Sequence, residues 1–247
     1  MGFLTGKTAI ITGGGRAVLS NGECGSIGYG IATAYAKEGA NLVLTGRNVQ
    51  KLTDAKEELE AKYGIKVLPV QADVSAGSDN EAIVQNVVKQ AIDTFGRIDV
   101  LINNAQASAS GVTIADHTTE QFDLAVYSGL YAAFYYMKAC YPYLKETKGS
   151  VINFASGAGL FGNFGQCAYA AAKDPRGRHR VGSRWHQCQR CMSSGMDRTA
   201  GEIRAGISRC FQGKRQDASY GTLRRRGEGD RPRLRTAGFS RLQVYER

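Results

Sequence analysis

Tyr169 and Lys173 stand four residues apart in the run Tyr169-Ala170-Ala171-Ala172-Lys173. On a helix that spacing puts a phenol and an ammonium on one face. A free phenol, with a pKa of about 10, is a poor base at neutral pH, and a neighbouring ammonium favours its anion. The pair could therefore carry a proton to or from a substrate oxygen. Ser156 stands just beyond an apolar run at 150–155. Its hydroxyl could hold the same oxygen for both groups. A Tyr and a Lys at this spacing arise by chance in many helices; a serine at a strand end upstream makes chance a poor explanation. The chemistry implied is proton delivery to a developing alkoxide or its removal from an alcohol, the companion of hydride transfer.

Glycine supplies a second feature. Thr12-Gly13-Gly14-Gly15 follows a short β-branched run, and Ser26-Ile27-Gly28-Tyr29-Gly30 opens a helical one. Glycines let the backbone approach a pyrophosphate, and a helix start offers N–H groups and a positive dipole end. Gly13, Gly14, Ser26, Ile27 and Gly28 are the candidate contacts, although glycine turns also simply join strands to helices. Residues 16–25 read as extra loop length with no functional account. Thr45-Gly46-Arg47-Asn48 follows the next strand. Sites for the unphosphorylated dinucleotide place an acid here to bind the ribose 2′-hydroxyl, and none is present. Arg47 could instead grip a 2′-phosphate with its fork of donors, which favours NADP over NAD; a solvated arginine is the plain alternative. Asp73 and Val74 could hold the adenine, with Asp73 accepting from its amino group. Asn103, Asn104 and Ala105 could line the cofactor channel, or form an ordinary turn.

These residues need a scaffold that gathers strand ends. Short apolar runs at 7–12, 41–45, 66–72, 98–103 and 150–155 read as strands. Segments at 28–39, 48–63, 77–95 and 118–144 have helical spacing between them. Continuous apolar strands alternating with helices predict an α/β fold, a Rossmann-like doubly wound parallel sheet covered on both faces. In such sheets ligands bind at the carboxyl ends of the strands, where the singled-out residues fall.

Residues 1–173 resemble the short-chain dehydrogenase/reductase family at Thr12-Gly13 with Gly28, Asp73-Val74, Asn103-Asn104-Ala105, Ser156, Tyr169 and Lys173. Residues 101–111, 127–147 and 151–173 are similar, more narrowly, to bacterial bile-acid 12α-hydroxysteroid dehydrogenases. The resemblance implies reversible oxidation of a steroid hydroxyl to a ketone with NADP, by a homo-tetramer of Rossmann-fold subunits. It makes Ser156, Tyr169 and Lys173 catalytic, the last two also touching the cofactor. Two positions depart from the family. Gln106 stands where a glycine is usual, and Gly129 where a helix asparagine usually relays protons through water. Ser128 or a backbone carbonyl would have to substitute.

The chain has 247 residues, 43% of them hydrophobic, enough to build a core. No signal peptide is read at the start. The apolar stretch at 127–144 contains Lys138 and Pro142 and is too interrupted to span a bilayer. A cytoplasmic protein without membrane contact is expected. The six cysteines are then expected to be reduced, and Cys188 and Cys191 lack a second ligand pair, so no metal site is expected.

The net charge of +10 conceals a boundary. Residues 1–173 hold 14 Lys and Arg against 15 Asp and Glu, whereas residues 174–247 hold 18 against 7, and 17 of those 18 are arginine. Two segments are therefore expected: 1–173, dinucleotide-binding and catalytic, and 174–247, arginine-rich and irregular, without the strand, substrate loop and lid that the family requires. Many arginines could hold phosphates non-specifically, but no aromatic interleaving accompanies them, so no specific nucleic-acid partner is expected. Arginine has many codons and abounds where a coding region is read out of frame. Read one base on, with free choice of synonymous codons, residues 185–200 can become GINVNVVCPLAWTAQ, 207–214 YPDAFKAN and 230–246 IGRVCVQLASPDFKYMS. These match the missing family segments in order, so a small deletion that changed the frame is expected. As written, the chain would then be either an NADP-dependent hydroxysteroid dehydrogenase or an inactive remnant with a basic tail.

Overall fold

The computed structural model describes residues 2–75, 77–173 and 188–193. Strands β1 (Thr8–Thr12), β2 (Asn41–Gly46), β3 (Val67–Gln71), β4 (Val100–Asn103), β5 (Ser150–Ser156) and β6 (Cys188–Ser193) form one sheet in the order β3-β2-β1-β4-β5-β6. Every pairing is parallel. The order reverses direction between β1 and β4, which opens a crevice at their carboxyl ends. Helices α1 (Ile27–Lys37), α2 (Val49–Tyr63), α3 (Asn80–Phe95), α4 (Thr119–Val126), α5 (Ala132–Thr147), α6 (Gly157–Phe161) and α7 (Cys167–Lys173) connect the strands.

Period-two alternation sorts the strand side chains into two layers. Ile11, Leu42, Leu44, Ile102 and Ile152 face one way and pack with Tyr29 and Tyr35 of α1 and Leu52 and Leu59 of α2. Their neighbours Ile10, Val43, Leu101 and Val151 face the other way, against Val84 and Val88 of α3 and Tyr136 and Leu144 of α5. Each large apolar side chain so buried contributes about 1.5–3 kcal/mol. One polar device ties the sheet's amino end: buried Asp99 accepts from the Thr8 N–H and from Arg97 through both oxygens.

Local signals explain the helix ends. Ser26, Asn48 and Thr118 cap α1, α2 and α4 by accepting a backbone N–H, and Gln121 completes a capping box with Thr118. Gly64 and Gly96 end α2 and α3 in the left-handed conformation.

Three features differ from the sequence reading. Residues 188–193 form β6 beside β5, with Val151 opposite Cys188 and Ser156 opposite Ser193, where no strand was expected. Pairing uses backbone groups, and the β5 edge presents them whatever side chains arrive. Second, residues 16–25 are no plain loop. Val18 and Cys24 make an antiparallel bridge, Gly22 turns at φ 84°, and Arg16 reaches Glu58 of α2 at 2.6 Å. Third, the helix expected over 118–144 is α4 and α5 joined by a π-turn at Tyr127–Tyr131. Along it the rings of Tyr127, Tyr131 and Tyr135 stack with centroids 5.3 and 6.0 Å apart. Among the described residues no helix is long and apolar enough to cross a membrane, and no cluster of His, Cys, Asp and Glu could hold a metal. Apart from β6, the expectations for residues 174–247 lie outside the described residues.

Candidate active site

The crevice is built first by Thr12 at the end of β1. Its hydroxyl donates to the Ile102 carbonyl and accepts from the N–H groups of Asn104 and Ala105 at 2.9 Å each. Asn104 returns a bond from Nδ2 to the Thr12 carbonyl at 2.8 Å. One buried threonine thus fixes the turn after β4 against the glycine turn after β1. That turn is closed by Gly13 and Gly14, whose N–H groups both point to the Thr45 carbonyl at 2.8 and 3.2 Å. They are engaged in the fold, which leaves the start of α1 as the anion-facing element.

There the packing requires glycine. A Cβ on Gly28 would stand 2.0 Å from the Gly13 carbonyl oxygen. Ser26 satisfies the Tyr29 N–H at 3.3 Å, and the N–H groups of Ile27 and Gly28 have no acceptor within the helix. A bare backbone cradle at a helix start fits a dinucleotide pyrophosphate. Arg47 lies exposed between β2 and α2. Asp73 sits close enough to feel its charge. Burial works to raise the Asp73 pKa, but two hydrogen bonds from Ser75 and the Arg47 charge outweigh it and lower it. Since Asp73 Oδ1 accepts from Ser75, its other oxygen is the one available to an adenine amino group. Val74 is held by Asn80, a fully buried residue whose Nδ2 donates to the carbonyls of Val74 and Tyr127.

Tyr169 and Lys173 come together beside β5, the strand that ends in Ser156. Ser156 is its last residue and caps α6, accepting the Ala158 N–H at 3.3 Å. Helix α7 lays Ala168 and Ala172, both wholly buried, against Ala125 of α4. Small residues at that contact let α7 sit close, and Lys173 reaches from it to β5. Lys173 is buried, its Nζ donating to the Phe154 carbonyl at 3.2 Å. The same Nζ lies 5.4 Å from the centre of the Tyr169 ring. Lysine therefore links the tyrosine's helix to the strand that carries the serine.

The sequence reading did not single out Asn153, which partners one of its candidate residues. Asn103 donates from Nδ2 to Asn153 Oδ1 at 2.8 Å, across β4 and β5. A polar residue inside the apolar run VINFAS was the available signal for Asn153, because a buried amide needs a partner. Gly129 and Ser128 both lie in the π-turn. Ser128 is committed to the fold: its Oγ accepts from the Ala107 N–H at 2.9 Å and lies 2.6 Å from the Leu124 carbonyl. Thr12, Asn103, Ser128, Gly129 and Tyr136 line a cavity of about 10 Å³, close to the smallest space that holds a water. Gln106 has a buried amide with neither end partnered.

A parallel sheet in this order, with a glycine cradle at its switch point and a Ser-Tyr-Lys set at the end of β5, defines a nicotinamide-dependent oxidoreductase of the short-chain type. The chain belongs to that family: the family model described as short chain dehydrogenase matches residues 7–175. It is 68% identical over 182 residues to a 12alpha-hydroxysteroid dehydrogenase from a Clostridium species, covering 73% of this chain and 68% of the relative. Among solved structures, L-sorbose reductase from Gluconobacter frateurii, complexed with NADPH and L-sorbose, is 29% identical with a TM-score of 0.61, over 70% of this chain and 60% of that one. A metagenomic short-chain oxidoreductase in complex with NADP shares the fold with a TM-score of 0.69 and 24% identity, over 83% of this chain and 90% of that one.

Proposed function

We propose that this protein oxidises a secondary hydroxyl of a steroid, a bile acid, to a ketone and runs the reverse reduction, with NADP as the redox partner. The observation that carries the chemistry is Lys173 Nζ held 5.4 Å from the Tyr169 ring centre while anchored to the strand that ends in Ser156. In oxidation Tyr169 takes the hydroxyl proton, Lys173 favours the phenolate that receives it, and Ser156 holds the substrate oxygen by a hydrogen bond. In reduction Tyr169 returns the proton to the developing alkoxide. The hydride is accepted or supplied by the nicotinamide when the cofactor is bound.

NADP is preferred over NAD because Arg47 stands at the end of β2 with no acid in residues 45–48 to receive a 2′-hydroxyl. Ser26, Ile27 and Gly28 form the pyrophosphate end, with the Gly13–Gly14 turn packed against it. Asp73 and Val74 take the adenine end, and Asn103 and Ala105 line the channel between. The steroid assignment is supported by the relative at 68% identity. An assembly of four subunits accords with the half-exposed aromatic side chains Tyr131, Phe134 and Tyr141 along one helical run.

The out-of-frame reading of residues 174–247 is part of this proposal. Its support is the family match, which stops at residue 175, beside the jump in arginine content. Sequencing the coding DNA tests it, since a frame one base on must encode the missing family segments. The activity is tested by following reduced-nicotinamide absorbance with a 12-hydroxy bile acid, comparing NADP with NAD. Turnover with NADP is expected; no turnover by this chain or by a frame-restored one overturns the steroid assignment.

A further inference from the structure

Between Ser156 and Tyr169 the fold leaves two phenylalanines uncovered. Phe161 is 84% exposed and Phe164 88%, more than any other large apolar side chain among the described residues. Both are fixed in place by backbone. Phe161 ends α6, the helix that Ser156 caps. Its Cδ2 lies 4.0 Å from where a Cβ on Gly157 would stand, so the ring edge comes back beside the residue that follows Ser156. Phe164 rides a turn bracketed by Gly162 and Gly165 at φ 70° and 68°. The Gly162 N–H bonds the Ala158 carbonyl and the Gln166 N–H bonds that of Asn163. The turn is clasped to the loop after β4, because Gly111 N–H donates to the Gly165 carbonyl at 2.9 Å.

The two clasped loops also share a composition. Residues 104–115 and 157–172 contain no Asp, Glu, Lys or Arg. Such walls offer no cation to a phosphate or carboxylate and no charged acceptor to a polyol. Exposed rings on the segment that joins Ser156 to Tyr169, among residues without charge, match a ligand that is apolar where it reacts.

We propose that Phe161 and Phe164 form the wall that receives the substrate's ring face, and that they set specificity for a rigid apolar ring system whose ionised group points away from these loops. This rests on the hydroxysteroid reading and adds the orientation: the ring hydroxyl goes in, and the carboxylate stays in water.

Isothermal titration of the full chain, with NADPH present, against cholate and its methyl ester tests both parts. The wild-type chain is expected to bind acid and ester within about twofold of each other, since the two clasped loops carry no side-chain cation to hold the carboxylate. The double variant Phe161→Ala with Phe164→Ala is expected to lose about tenfold or more for both ligands. Its NADPH affinity and urea midpoint should match the wild type, because both rings are in water in the free protein. Binding by the wild type with no loss in the double variant overturns the wall alone. An ester bound more than about tenfold more weakly than the acid overturns the orientation. A wild type that binds NADPH but neither steroid overturns the hydroxysteroid reading and the wall together.

Discussion

The carbonyl oxygen of Gly13 lies 2.0 Å from the point where a Cβ on Gly28 would stand. The turn after β1 and the start of α1 are therefore in direct backbone contact, and that contact is what exposes the helix start to a ligand. Neither side can yield freely, because Gly13 is bonded to Thr45 and Asn104 is bonded to the neighbouring Thr12. Gly28→Ala is expected to cost about 1–3 kcal/mol of stability and to weaken NADPH binding. Urea unfolding and a fluorescence titration with NADPH measure the two effects.

Tyr169→Phe removes only the phenolic oxygen. Activity should fall by about 10²–10⁴-fold, with the urea midpoint and NADPH affinity unchanged. Lys173→Met keeps the bulk but leaves the Phe154 carbonyl without its donor, so it should lose activity and also about 1–3 kcal/mol of stability. A Tyr169→Phe variant that kept wild-type turnover would remove this tyrosine from the proposed chemistry.

Thr12 can be tested by shape. Thr12→Val preserves volume and leaves the Asn104 and Ala105 N–H groups without the oxygen they share, a loss of about 1–3 kcal/mol per orphaned group. Thr12→Ser restores an oxygen and should recover most of it. Equal stability of the two variants in urea would mean that the hydroxyl does not hold the turn.

The bond between Arg16 and Glu58 makes stability depend on pH. The Arg16 hydrogen bond holds the Glu58 carboxyl below its ordinary value, against the opposing effect of burial. The folded protein thus binds this proton less readily than the unfolded chain. The stabilisation is complete above the unfolded glutamate value of about 4.3 and fades as the pH falls through the lower folded value. Glu58→Gln should lower the urea midpoint at neutral pH, with the gap closing in acid. Exposure and salt screening keep the gap small, and a gap that persisted unchanged in strong acid would contradict the assignment.

The sheet was readable because its central strands β1, β2 and β4 are buried on both faces, which writes itself as an unbroken apolar run such as TAIIT or VLIN. The catalytic positions were readable because they follow such runs. Other parts left no trace of that kind. The π-turn over Tyr127–Tyr131 changes how residues are counted around the axis without changing which are apolar, so 118–144 reads as one helix. Strand β6, CQRCMS, has no apolar run at all; its place comes from the backbone edge of β5. Asn153 is legible as the one amide inside the apolar run of β5. The second role of Ser156, as the cap of α6, depends on a helix of five residues, too short to announce itself by periodicity.

The stacked tyrosines along the π-turn have an optical consequence. Rings whose centres lie 5.3 and 6.0 Å apart in a chiral array couple their electronic transitions, and the coupled band rotates polarised light. Near-ultraviolet circular dichroism therefore contains a built-in reporter for this stretch of helix. Any change that restores regular α-helical winding through Gly129 would shift that band, with no probe attached.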